Sequence, residues 1–193
     1  MRTDILSFIL GSENRKIIAK TILDYPKRQW SCSALEDLTK IPHSTVFRTL
    51  TGLKNYGVLK TIKINKKDFV YELVQNNLTN EIKRMLDIEI TTAKSSADEF
   101  VDSVKDKITA AILYGSVVKG TIKPESDVDI LFIVKNHNND KEIFDIAAKI
   151  SSKNNRVISP IIMEKKEILN KSNKQFINSV KESMEMLYGK APF

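Results

Sequence analysis

Asp127 and Asp129 stand one residue apart at the head of the apolar run VDILFIV. Ten residues separate Asp127 from Ser116, which with Gly115 closes an earlier apolar run, ITAAILY. Side chains alternate along a strand, so two aspartates at i and i+2 converge on one face while Val128 and Ile130 turn into the core. Two hard carboxylate donors, completed by phosphate oxygens, suit Mg²⁺. Gly115 lets a phosphate approach the backbone without a Cβ in the way. Ser116 is expected to cap a short helical turn whose N–H groups face the phosphates.

The strand, the Gly-Ser pair and the D-x-D at this distance resemble the nucleotidyltransferase superfamily that includes DNA polymerase β, and most closely its smallest members. These are the antitoxin-like and aminoglycoside-modifying proteins, and the resemblance covers about residues 107–165. It implies a mixed sheet in an α/β domain, with Asp127 and Asp129 as catalytic residues and Mg²⁺ ligands. Gly115 and Ser116 would be the nucleotide-binding residues, and ATP the expected NTP. It also implies a third carboxylate on a later strand, completing the metal site and taking the proton from the attacking hydroxyl. Here that strand reads RVISPIIME, and no Asp or Glu stands between Asp145 and Glu164. Its site-facing positions are either Ser159 and Ile161 or Ile158 and Pro160. Glu164, or a group from a protein partner, is the remaining source of a carboxylate.

The positioning elements begin with the N-terminal part. Ile17, Ile18 and Ile22 recur at helical spacing after a candidate cap at Ser12, and Tyr25-Pro26 ends the run. A second helix is expected from Ser33, with Glu36 three residues on completing a capping box. A third runs through HSTVFRTLTGLKNYGVL, with Val46, Leu50 and Leu53 inward and Ser44, Arg48, Thr51 and Asn55 outward. VLKTIKI and FVYELV then read as a hairpin around the tip NKKD.

This order of elements, with S-T-V-x-R-x-L-x-x-L in the third helix and G-V-L after it, resembles the winged helix-turn-helix regulators over roughly the first 75 residues. Pro42 departs from the serine or threonine cap common in that family. The resemblance implies a double-stranded DNA partner, with His43, Ser44, Thr45 and Arg48 toward the major groove. Lys63, Lys66 and Lys67 of the wing would meet flanking phosphates. Charge agrees, because residues 1–76 carry 13 Lys/Arg against 7 Asp/Glu and the remainder 18 against 17.

Between these modules, residues 77–106 contain no Gly or Pro. Leu78, Ile82, Leu86, Ile90, Ala93, Ala97, Phe100 and Val104 form a stripe expected on one long connecting helix. The stripe can pair with its twin or pack within the chain. A homodimer is expected because such DNA readers meet two half-sites. NKQFINSVKESMEMLYG is expected to add a packing helix, with Phe176, Ile177, Val180, Met184 and Leu187 inward. The resulting plan is an α+β protein: residues 1–76 winged helix, 77–106 connecting helix, 107–193 nucleotidyltransferase-like domain.

A lone Cys32 excludes an internal disulfide and, with only His43 and His137, argues against a Cys/His metal centre. No apolar run approaches membrane-spanning length, and a cytoplasmic location is expected. Three functions fit. The first is a DNA-binding transcriptional regulator whose second domain binds Mg-NTP with weak or no catalysis. The second is an active transferase moving NMP to a protein or small-molecule hydroxyl, and the third a pair of interaction modules.

Overall fold

The computed structural model describes residues 4–65, 68–122 and 126–193. The chain divides into two compact units, Met1–Asp87 and Ile88–Phe193.

The first unit runs α1 (Ile5–Leu10), α2 (Glu13–Asp24), α3 (Cys32–Thr39), α4 (His43–Asn55), β1 (Leu59–Lys63), β2 (Phe69–Leu73) and α5 (Asn77–Leu86). Its core gathers Ile18, Ile22, Trp30, Leu35, Leu50 and Leu53. The expected start of α3 at Ser33 is corrected: Ser31 is the cap, its hydroxyl accepting from Ala34 N at 3.1 Å. Trp30 explains the shift. It exchanges two 2.8 Å backbone hydrogen bonds with Tyr71, which holds the chain extended up to Ser31 and frees it to turn helical at Cys32. Pro42 does occupy the N-cap of α4 and offers no side-chain cap. β1 and β2 pair antiparallel from Leu59↔Leu73 to Lys63↔Phe69.

The second unit runs α6 (Ile88–Val104), β3 (Ala110–Tyr114), α7 (Ser116–Lys119), β4 (Val128–Val134), α8 (Asp140–Asn154), β5 (Ile158–Glu164), α9 (Lys165–Ile168), α10 (Lys174–Glu182) and β6 (Met184–Gly189). Its sheet has the order β5-β4-β3-β6, with β4 and β5 parallel and the other pairs antiparallel, so the sheet is mixed as expected. β4 is apolar almost throughout because both of its faces are covered. Val128, Ile130, Phe132 and Val134 pack with α6 and α8, where Phe100 meets Phe132 edge-on at 5.0 Å. Leu131 and Ile133 pack on the other face with Ile177 and Val180 of α10.

Two expectations are corrected. The connecting segment is not one helix, since Asp87 separates α5 from α6 with φ −96° and ψ 0°. Its carboxylate holds Lys20 at 2.7 Å and Lys83 at 3.2 Å, and the stripe is shared between two cores. Ile82 and Leu86 serve the first, while Ala93, Ala97, Phe100 and Val104 serve the second. The C-terminal segment is not one helix either: α10 ends at Glu182, Ser183 is extended at φ −151°, and Met184 and Leu187 belong to β6. β6 continues the sheet beside β3, and pairing there outweighs local helical spacing.

Candidate active site

The carboxylate pair sits where β4 begins. Val128 N donates to Val157 O at 2.9 Å and fixes the entry of the strand, leaving Asp127 exposed just before it and Asp129 half-buried inside it. Asp129 lies in register with Tyr114 of β3 on one side and Ser159 of β5 on the other, and Tyr114 with Met184 of β6. The row Ser159–Asp129–Tyr114–Met184 therefore crosses the sheet on the α10 face. Tyr114 stands edge-on to Phe176 of α10 at 5.7 Å.

Gly115 follows Tyr114 with φ +80° and ψ −145°, a conformation nearly confined to glycine. A Cβ there would lie 2.6 Å from Asp129 Oδ2, so the missing side chain is what admits the carboxylate against the turn. Ser116 begins the single turn α7, and Lys119 N bonds Gly115 O at 3.1 Å. The expected side-chain cap by Ser116 is corrected, since Gly115 holds the N-cap position and no side-chain cap bond forms. The structure thus brings together Gly115, Ser116 and Asp129, with Asp127 one residue before the strand.

Burial raises the Asp129 pKa, and the negative charge of Asp127 raises it further. Tyr114 is pushed up to about 12 by burial and then by the charge of Asp129. No ion pair among the described residues neutralises either aspartate. A desolvated carboxylate beside a second one, next to a turn kept open by glycine, fits one hard divalent cation.

The register resolves the alternative left on β5: Ser159 and Ile161 share the face of Asp129. Glu164 is corrected as a source of the third carboxylate. It pairs with Val134, five residues beyond Asp129, which at a strand's rise is roughly 16 Å away. There its Oε2 lies 2.9 Å from Lys166 and it caps α9. Sequence reasoning passed over Tyr114, although its place immediately before Gly115 on an alternating strand puts it on the face of Asp129.

In the first unit, His43, Ser44 and Arg48 are exposed on α4 and Thr45 is half-buried. Ser44 and Arg48 share a face at i, i+4. His43 Nδ1 is 2.9 Å from Glu36 Oε2, and Thr51 bonds the Tyr71 phenol and so turns toward the hairpin. Lys63 is exposed at the end of β1, while Lys66 and Lys67 lie outside the described residues. No helix among the described residues is long and apolar enough to cross a membrane.

Residues 98–192 match the family described as polymerase beta, nucleotidyltransferase. A candidate protein adenylyltransferase of Methanocaldococcus jannaschii is 45% identical over 65 residues, covering 32% of this chain. The match spans 66% of that relative, just under two thirds of its length. Among solved structures, a toxin-antitoxin with AMP-PNP is 17% identical with a TM-score of 0.38, covering 50% of this chain and 73% of that one. A candidate nucleotidyltransferase from Sulfolobus solfataricus is 18% identical with a TM-score of 0.30, covering 51% and 88%. Over residues 98–192 the second unit is thus similar to nucleotidyltransferase domains of the polymerase-beta kind.

Proposed function

We propose that the second unit transfers a nucleoside monophosphate, AMP in the first instance, from a Mg-bound triphosphate to the hydroxyl of a protein acceptor. The observation that carries this reading is the approach of Asp129 to Gly115, which sets a carboxylate pair against an open backbone turn. The match of residues 98–192 to the nucleotidyltransferase family supports it. The naming of the Methanocaldococcus relative as a candidate protein adenylyltransferase favours a protein acceptor.

In the transfer, the acceptor oxygen forms a bond to the α-phosphorus, the bond to the bridging oxygen breaks, and pyrophosphate leaves. The bound cation supplies charge neutralisation on the phosphates. Asp127 and Asp129 hold and orient the cation-bound triphosphate. Gly115 leaves the backbone N–H groups open to the phosphates, and the Ser116 hydroxyl lies at the same turn. The acceptor proton passes to water or to a base on the acceptor, because β5 presents Ser159 rather than a carboxylate beside Asp129. Transfer is therefore slower than with a positioned base, which contributes roughly 10² to 10⁴ in rate. α-Labelled ATP should label the acceptor whereas γ-labelled ATP should not. Labelling from the γ-position alone would replace AMP transfer by phosphoryl transfer.

The exposed Ser44–Arg48 face of α4 favours a second reading, in which the first unit is a winged helix that binds double-stranded DNA. Its support is the +6 balance of residues 1–76 together with exposed Lys63 on the hairpin. Binding should weaken steeply as salt rises, and Arg48→Ala should cost roughly 1 to 3 kcal/mol of discrimination between sites. Identical site preferences in both proteins, measured by selection from random duplexes, would remove Arg48 as a reader.

A further inference from the structure

We infer that Ser159 restricts the carboxylate pair to one divalent cation per bound nucleotide, and so leaves the acceptor side of the site without a metal-activated oxygen. This rests on the transfer reading above and specifies how the site works. Three observations lead to it. The parallel register of β4 and β5 sets Ser159 directly beside Asp129, on the strand flanking the carboxylate pair opposite Tyr114. The next residue on that face, Ile161, is apolar and packs into the sheet's α10-side core. The nearest acid on β5 is Glu164, at the far end of the strand, where Lys166 and His137 already engage it.

Charge decides how many cations such a site holds. Two divalent ions in a paired site sit roughly 3.5 to 4 Å apart. Their repulsion is four times that of two unit charges at the same spacing. Carboxylates placed between and beside them offset this. Asp127 and Asp129 supply two negative charges from one edge of the site. On the β5 side the side chain offered is a neutral hydroxyl, a weak ligand for a hard cation that has to compete with its own hydration shell. A first cation gains both carboxylates and the phosphates. A second would share only Asp129 with the first and would find no anionic partner from β5. The phosphate side of the site is thus served and the acceptor side is not.

Counting Mn²⁺ by electron paramagnetic resonance, with an ATP analogue that cannot be cleaved between the α- and β-phosphorus, tests this directly. The full chain is expected to bind one Mn²⁺ per nucleotide, as is Ser159→Ala. Ser159→Asp is expected to bind two and to raise the rate of transfer from ATP about 10²-fold, the low end of what a positioned base contributes. Two Mn²⁺ in the parent protein would overturn the inference, and so would a folded, nucleotide-binding Ser159→Asp that still holds one. If Ser159→Asp does not fold, the count in the parent protein decides alone. A parent that binds two ions and still transfers AMP overturns the role of Ser159 and leaves the transfer reading standing. A parent that binds one ion and its nucleotide yet labels no acceptor does the reverse. No nucleotide binding at all overturns both.

Discussion

The two ends of β4 hold the same kinds of side chain and treat them in opposite ways. At its C-terminal end, acids are matched with bases. His137 Nδ1 lies 2.7 Å from Asp140, its Nε2 lies 2.9 Å from Glu167, and Lys166 neutralises Glu164. At the N-terminal end, Asp127 and Asp129 stand together with no neutralising cation among the described residues, and the charge of Asp127 makes the half-buried Asp129 harder to ionise. The pKa directions record the difference. Asp129 is raised by burial and by Asp127, whereas Glu167 is lowered chiefly by the backbone N–H of Glu164, which outweighs burial, and His137 lowers it further. Among the described residues, acids are paired with bases at one end and left without a cationic partner at the other, which places a cost where a cationic ligand can relieve it.

The largest expected effect comes from removing the uncompensated charge. Asp127→Asn combined with Asp129→Asn should reduce AMP transfer by at least about 10³-fold, since electrostatic groups at a reacting centre are each worth roughly 10² to 10³. Rates from α-labelled ATP measure this, and a loss under tenfold would detach the pair from the chemistry.

Gly115→Ala comes next. The residue must take up φ +80°, and its Cβ would fall 2.6 Å from Asp129 Oδ2. Such strain costs roughly 1 to 3 kcal/mol. Denaturant unfolding should show that loss, and nucleotide affinity should fall with it because Asp129 must move. Unchanged affinity would show that the close approach is incidental.

Asp129→Asn alone sharpens the comparison through stability. The folded state raises the pKa of Asp129, so it binds the proton more tightly than the unfolded chain does. Stability therefore falls as pH rises from the ordinary carboxylate value through the raised one, and the cost stays in place at neutral pH. Asp129→Asn should then raise the melting temperature of the ligand-free protein at pH 7, and the gain should shrink as the pH is lowered through that window. A lower melting temperature at pH 7 would mean that contacts to the Asp129 carboxylate stabilise its charged form.

The smallest effect belongs to the satisfied end. The His137 pKa is raised by its hydrogen bonds to Asp140 and Glu167, against slight desolvation. Its contribution is fully present below the unfolded imidazole value and is lost as pH rises through the folded one. His137→Gln should accordingly lower the melting temperature at pH 6 and leave it nearly unchanged at pH 9. Equal losses at both would make the cluster a matter of packing rather than charge.

How much of this was legible in the sequence depended on how local each feature is. The D-x-D and Gly-Ser pair could be read directly, because strand alternation and a glycine turn are short-range properties. The helix α4 and its buried Val46, Leu50 and Leu53 were legible for the same reason. The break at Asp87 was not, since the apolar stripe continues in phase through it and only contacts with Lys20 and Lys83 mark the change. Met184 and Leu187 fit a helical pattern as well as a strand, and pairing with β3, some seventy residues earlier, decided between them. The identity of the third position on β5 was open for a similar cause. Which of two alternating sets faces Asp129 depends on the register of a parallel crossover, and a one-residue slip reverses it.

The most direct test of the central claim is calorimetric titration of the full chain with ATP in the presence and absence of Mg²⁺, repeated on the Asp127→Asn, Asp129→Asn double variant. Mg-dependent binding by the parent protein and its loss in the double variant at unchanged fold are expected. Absence of binding by the parent, or equal affinity in both proteins, would contradict the assignment of Asp127 and Asp129 as a nucleotide site.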